Sequence, residues 1–224
     1  MFGLDLIAAT GLLVLAGNTV QCHIPVVPKI TVTPTSAPIQ YEYRLSSAQL
    51  DQMRSNTVNP YAPGTDTATG GLRHDRPKIS TNVSWGTRTY PGRNLVCLWY
   101  ESVDVSIALQ PKIYIAKESQ KTRACRDAIK EHELEHVRID RQVINEYAQG
   151  LGQAVKKAVD NAGAMGPYNL HEQKEVQEQL VGHIQAAMDS QKFLLHQEMS
   201  RRQAKIDSLE EYEAISVICN KERR

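Results

Sequence analysis

One stretch limits the possible folds more than any other. From about Thr122 to Ala162 apolar residues recur at helical spacing, and the run ends at Gly163 and Gly166-Pro167, which stop helices through backbone freedom and a missing N–H. At about 100° per residue, Ile129, Val137, Val143, Ile144, Tyr147 and Leu151 mark one apolar face. His132, Glu133, His136 and Asp140 fall within or at the edge of that arc, whereas Lys130, Glu131, Glu135, Arg138 and Gln142 point the other way. Buried ionisable groups need partners or a metal to offset their desolvation. A merely solvated, charged helix would not place them there.

The spacing within His132-Glu133-Leu134-Glu135-His136 supplies the chemistry. Two histidines four residues apart share one helix face, so both imidazoles can reach a single Zn²⁺ at ~2.1 Å. Glu133 then faces the open coordination position, where it can take a proton from water acidified by the metal to a pKa of about 7 and pass it to a leaving group. His132 and His136 are thus the candidate metal ligands and Glu133 the candidate general base.

A catalytic zinc usually has a third protein ligand, and several residues compete for that role. Asp140 lies one turn beyond His136, but about 12 Å along the axis from His132, so orienting a histidine competes with direct ligation. His171, Glu172 and Glu175 near the start of the last helix are the rivals, although such residues on a polar helix are usually solvated. Tyr147, Tyr168 and His183 carry groups able to donate to an oxyanion, and none is assigned that role.

The rest of the chain frames this helix. Its 224 residues and net charge of +1 fit one globular domain, and the interleaved charges give no basis for a nucleic-acid partner. Leu6 to Ala16 form an apolar run of signal-core length, too short for a bilayer span of ~20 residues. Residues 1–22 therefore read as a leader, cleaved after Ala16 or slightly later, and residues 23–224 as a single domain with no stable membrane span. Asp5 is atypical for a signal start. Export implies a secreted or periplasmic protein, in which four cysteines form two disulfides. The favoured pairing is Cys97 with Cys125 and Cys22 with Cys219.

Local patterns suggest the order of elements. Pro25 to Pro38 is rich in Pro and Thr, Gln40 to Arg44 alternates like a short strand, and Ser46 to about Ser55 reads as a helix. Asn59 to Pro77 reads as a long surface loop. Ile79–Thr89, Leu95–Leu109 and Lys112–Ala116 read as three strands of an antiparallel meander, with a turn at Tyr90 to Asn94. Gly150 and Gly152 are sites where the motif helix could bend. A final helix from about Asn169 to Glu213 carries Val176, Leu180, Ile184, Met188, Leu195, Met199 and Ile206 as a core stripe.

The sequence Ser84-Trp85, then Leu95-Val96-Cys97-Leu98-Trp99-Tyr100, Val103 to Ile107, Pro111 to Ile115 and finally Glu131 to Val137 resembles bacterial predicted secreted zinc-dependent proteases. The resemblance spans roughly Ser84 to Tyr147. It implies a zincin-like α+β fold; with the periodicity read above, the expected architecture is a small antiparallel sheet followed by the HExxH helix and a long C-terminal amphipathic helix, the last lying outside the resemblance. It also implies zinc as the metal, with His132, His136 and Glu133 in the roles argued above. The expected function is an exported zinc metallopeptidase acting on protein or peptide, with a cell-wall peptide as a second candidate substrate. By analogy with zincins the Lys112–Ala116 strand is the candidate substrate cradle. The alternative is a non-enzymatic exported interaction protein whose long helices form the binding surface and whose metal is structural or absent.

Overall fold

Strand β5 (Leu95–Leu109) runs through the larger sheet, and its burial pattern explains the architecture. Val96, Cys97, Leu98, Trp99 and Tyr100 are all buried, whereas from Val103 onward burial alternates through Val105, Ile107 and Leu109. The first half is thus covered on both faces and the second half mainly on one. The computed structural model describes residues 20–53, 60–62, 65 and 67–221.

Antiparallel β4 (Lys78–Tyr90) pairs along the whole of β5, with a register shift at Ser84/Trp85. The turn between them ends at Asn94, whose φ of 52° is left-handed, a conformation asparagine tolerates. The opposite edge of β5 is shared by β1 (Lys29–Ser36), parallel from Lys29 opposite Ser102 to Ser36 opposite Leu109, and by β7 (Met165–Asn169), antiparallel beside Leu95 to Leu98. A second sheet has the order β2-β6-β3, formed by β2 (Gln40–Glu42), β6 (Lys112–Ile115) and β3 (Gly71–His74).

The fold is therefore α+β, but its sheets are mixed. The β4–β5 hairpin is antiparallel as expected, while β6 leaves that sheet instead of completing a meander. The cause lies in the Pro and Thr rich segment, which supplies β1 through Ile30, Thr31, Val32 and Thr33. Ala37 N donates to Leu109 O and Gln40 N to Pro111 O, so β1 and β2 accompany β5 and β6 as a continuous parallel ribbon across both sheets. Strand β3 falls in the stretch that reads as a loop, its glycine-rich start giving no alternation signal.

Two long antiparallel helices cover the large sheet. Helix α2 (Arg123–Ala162) starts at Thr122, whose side chain accepts from Cys125 N, and stops at Gly163 with φ 61°. Gly150 and Gly152 stay within it. A Cβ at Gly150 would lie 2.7 Å from Gln191 Oε1, so this glycine permits close approach of α3 (Gln173–Ile206). Val143, Ile144, Leu151, Val155 and Val159 of α2 join Leu180, Ile184, Met188, Leu195 and Met199 of α3 and the buried β5 residues in one core. The expected α3 stripe is thus core from Leu180 to Met199, with Val176 partly buried against it and Ile206 half-buried outside it. A short α1 (Ser47–Asp51) is closed by a Ser46/Gln49 capping box.

The last helix is not continuous. It breaks at Asp207-Ser208, and α4 (Leu209–Lys221) begins beyond it. Ser208 caps the new start, its hydroxyl accepting from Glu211 N at 3.2 Å. Helix α4 lies antiparallel against the first part of α2, beside a smaller cluster of Ile113, Ile115, Cys125, Ile129 and Val137.

The disulfides are Cys22–Cys97 and Cys125–Cys219, in place of Cys97–Cys125 and Cys22–Cys219. Strand β1 runs parallel to β5, so the chain preceding it passes beside the start of β5 and brings Cys22 to Cys97. The break at Asp207-Ser208 folds α4 back and brings Cys219 to the first turn of α2. Cys22 therefore belongs to the folded domain. Among the described residues no helix is long and apolar enough to cross a membrane. The leader expected over residues 1–22 lies outside the described residues up to residue 19.

Candidate metal centre

His132, Glu133, His136 and Asp140 are all buried on α2, at 8%, 5%, 4% and 0% exposure, so the register read from the sequence holds. Their surroundings come from three other elements: β3, the end of α3, and α4. The two imidazole Nε2 atoms lie 3.1 Å apart. Asp207, at the C-cap of α3, directs Oδ1 to 3.1 Å from His136 Nε2 and 3.5 Å from His132 Nε2. Among the described residues these three are the one His/Cys/Asp/Glu group whose ligand atoms cluster closely enough for a metal.

The triangle of donors fits zinc. A tetrahedron with bonds of ~2.0–2.1 Å has edges of about 3.3 Å, close to the three observed separations. Neutral imidazole nitrogen and carboxylate oxygen are donors zinc accepts. No fourth His, Cys, Asp or Glu joins the group among the described residues. The three atoms thus form one face of a tetrahedron and leave the fourth vertex without a protein ligand.

Asp207 is the residue sequence reasoning missed. Asp140, His171, Glu172 and Glu175 do not join the donor set. His171, Glu172 and Glu175 are exposed near the start of α3, at the end opposite Asp207. Asp140 is buried and instead accepts from Gln203 Nε2 at 2.6 Å while its Oδ2 lies 2.8 Å from Arg73 Nη1. Asp140 thus reaches His136 only through Gln203, and does not hydrogen-bond a histidine directly as weighed from the sequence. The S-x-x-E pattern of Ser208-Leu209-Glu210-Glu211 is a helix-start signal, and reading it would have placed Asp207 at a helix end. Tyr147 and Tyr168 are partly buried against the core and His183 is exposed.

Gln203 fixes the tautomer of His136. Its Nε2 donates to Asp140 Oδ1 and to His136 O at 3.0 Å, so its Oε1 is the atom that meets His136 Nδ1. An amide oxygen only accepts, so Nδ1 carries the proton. Neutral His136 therefore presents a free Nε2 lone pair to the metal. Gln203→Leu is expected to weaken zinc binding by about tenfold, measured by competition with a chromophoric chelator.

Burial pushes the His136 imidazole down, but the hydrogen bond with Asp207, the Glu133 and Asp207 charges and the Gln203 contact outweigh it, leaving its pKa above 6.5. For Asp207, burial acts upward, while hydrogen bonds from His132 and His136 hold it at about 2. The raised His136 pKa contributes stability that is present below the ordinary histidine pKa and lost as pH rises through the raised value. Zinc must displace the added His136 proton. Its affinity is expected to fall as pH drops through the raised His136 pKa, with proton release on binding; titrations in buffers of different ionisation enthalpy check this.

Glu133 completes the site. Its carboxyl is buried next to β3, where a Cβ on Gly71 would lie 2.9 Å from Oε1. Burial pushes its pKa up, against the downward pull of His136 and His132. Comparison with protein-family models, curated proteins and solved structures gives no match, so the functional reading rests on this geometry.

Proposed function

We infer that the chain is an exported zinc-dependent hydrolase of zincin type, with peptide bonds as its substrate class. The observation that carries this reading is the buried His132–His136–Asp207 donor face, with Glu133 beside it on the same helix. Zinc would be held by the two Nε2 atoms and Asp207 Oδ1. When bound, it supplies a Lewis acid that polarises a carbonyl and lowers the pKa of water to about 7.

The chain's own groups do the rest. Glu133 receives a proton from the attacking water as the new C–O bond forms. It returns that proton to the amide nitrogen as the C–N bond breaks, leaving an amine and a carboxylic acid, whose remaining proton is released to solvent or to the amine. Gly71 leaves room for the Glu133 carboxyl. Three protein ligands with an open vertex favour catalysis over a structural metal, which would be closed by four.

The substrate cradle shifts from its expected place. Strand β6 is flanked by β2 and β3, so the Lys112–Ala116 segment has no free edge. Strand β3 has an unpaired outer edge among the described residues and borders Glu133, so an extended peptide pairing there would pass the donor face. A cell-wall peptide presents the same amide chemistry. Two disulfides fit an oxidising, secreted or periplasmic setting. The resemblance to secreted zinc-dependent proteases agrees with this reading.

The test is elemental analysis of the oxidatively folded protein together with hydrolysis of an unfolded protein substrate and of cell-wall stem peptides. The expected result is about one zinc per chain, activity on at least one substrate, its loss with chelator and its return with zinc. A folded chain that takes up no zinc when offered it would transfer the reading to a non-enzymatic interaction protein.

A further inference from the structure

We propose that Tyr212 is the positioning residue for two of the three metal ligands, His132 and Asp207; this rests on the metal-site reading above. Metal ligands are held by outer contacts that fix their orientation, and here those contacts divide unevenly. His136 is fixed by Gln203. The Nδ1 of His132 is buried and makes no hydrogen bond among the described residues. Its ring instead packs against the ring of Tyr212, with centroids 5.5 Å apart and planes at 88°.

Asp207 has a different need. It caps α3 at a two-residue break, its N–H still donating to Gln203 O at 3.1 Å while no helix continues directly beyond it. Tyr212 Oη donates to Asp207 Oδ1 at 3.1 Å, the same oxygen that faces both histidines. A coordinated carboxylate oxygen has lone pairs enough to serve a metal and accept from a phenol. One side chain on α4 thus sets the ring of one ligand and the oxygen of another.

The position of Tyr212 is itself anchored. The Cys125–Cys219 bridge ties the far part of α4 to the first turn of α2. Cys125 precedes His132 by seven residues and Cys219 follows Tyr212 by seven, so the two antiparallel helices are in register at both points. Tyr212 therefore transmits the geometry of α2 to a ligand that comes from another helix.

The test is zinc affinity of the full oxidised chain by chelator competition, for the parent, Tyr212→Phe and Tyr212→Leu. Tyr212→Phe removes only the donor and is expected to weaken zinc 10–100-fold, in a chain that remains folded by circular dichroism. Tyr212→Leu, which also removes the ring, weakens it further. The Co²⁺ absorption spectrum of Tyr212→Phe should change in intensity, because a displaced Asp207 alters the ligand field; a purely structural tyrosine would leave it unmoved. Parent-like affinity and spectrum in Tyr212→Phe overturn the proposal, as does a loss of turnover without loss of zinc, which would make Tyr212 a substrate-facing donor. A parent that binds no zinc sinks the metal-site reading and this inference with it, whereas a zinc-binding parent matched by Tyr212→Phe sinks this inference alone.

Discussion

If Glu133 is the proposed proton carrier, Glu133→Gln is expected to keep the parent's zinc and to lose about 10³-fold in turnover. The amide is close to the carboxylate in size, so it still fits beside Gly71, but it cannot take up a proton at neutral pH. Zinc content separates this variant from His136→Ala, which removes a ligand and should lose the metal as well as activity. Parent-level hydrolysis by Glu133→Gln would eliminate Glu133 as proton carrier.

The fold and the site were legible to different depths. Helix α2 could be read closely because forty residues of unbroken 3.6-residue periodicity average over local exceptions, and the same periodicity placed His132, Glu133, His136 and Asp140 inward. The long β4 and β5 strands announced themselves through alternation and β-branched residues. Strand β1 did not, because Pro34 and the polar threonines suit an edge strand and also suit a loop. Strand β3 is four residues long, too short for a period-two pattern to emerge from glycine-rich surroundings.

Asp207 was hidden for another reason. A candidate ligand contributed from 71 residues beyond His136 has no spacing rule, because only the antiparallel return of α3 along α2 brings it back. Disulfide pairing failed in the same way: nearness in sequence suggested Cys97 with Cys125, while strand order and the Asp207-Ser208 break decided otherwise. Local chemistry was written locally, and its long-range partners were written in topology.

The Arg73–Asp140 pair shows how strongly those long-range partners matter. Asp140 is fully buried and Arg73 nearly so, with 12% of its side chain exposed. Replacing Arg73 with Leu leaves a carboxylate with only Gln203 as its neutral donor, and breaking a buried pair in this way costs about 3 kcal/mol or more at pH 7. Urea unfolding is the measurement, with thermal unfolding expected to show a midpoint lower by roughly 10 °C for a domain of this size. The sign of the pH dependence follows from Asp140. Burial pushes its pKa up and Arg73 pulls it down, so without Arg73 the folded state holds the proton to still higher pH. The deficit is then full at neutral pH and shrinks as pH falls through that raised value, because a neutral carboxyl no longer needs a cation. Asp140→Asn combined with Arg73→Leu removes both charges and should recover most of the loss, since an amide can still accept from Gln203. A single Arg73→Leu variant as stable as the parent at pH 7 would mean that Asp140 finds its compensation elsewhere. In that case the Arg73–Asp140–Gln203 chain would not be what holds His136 in place.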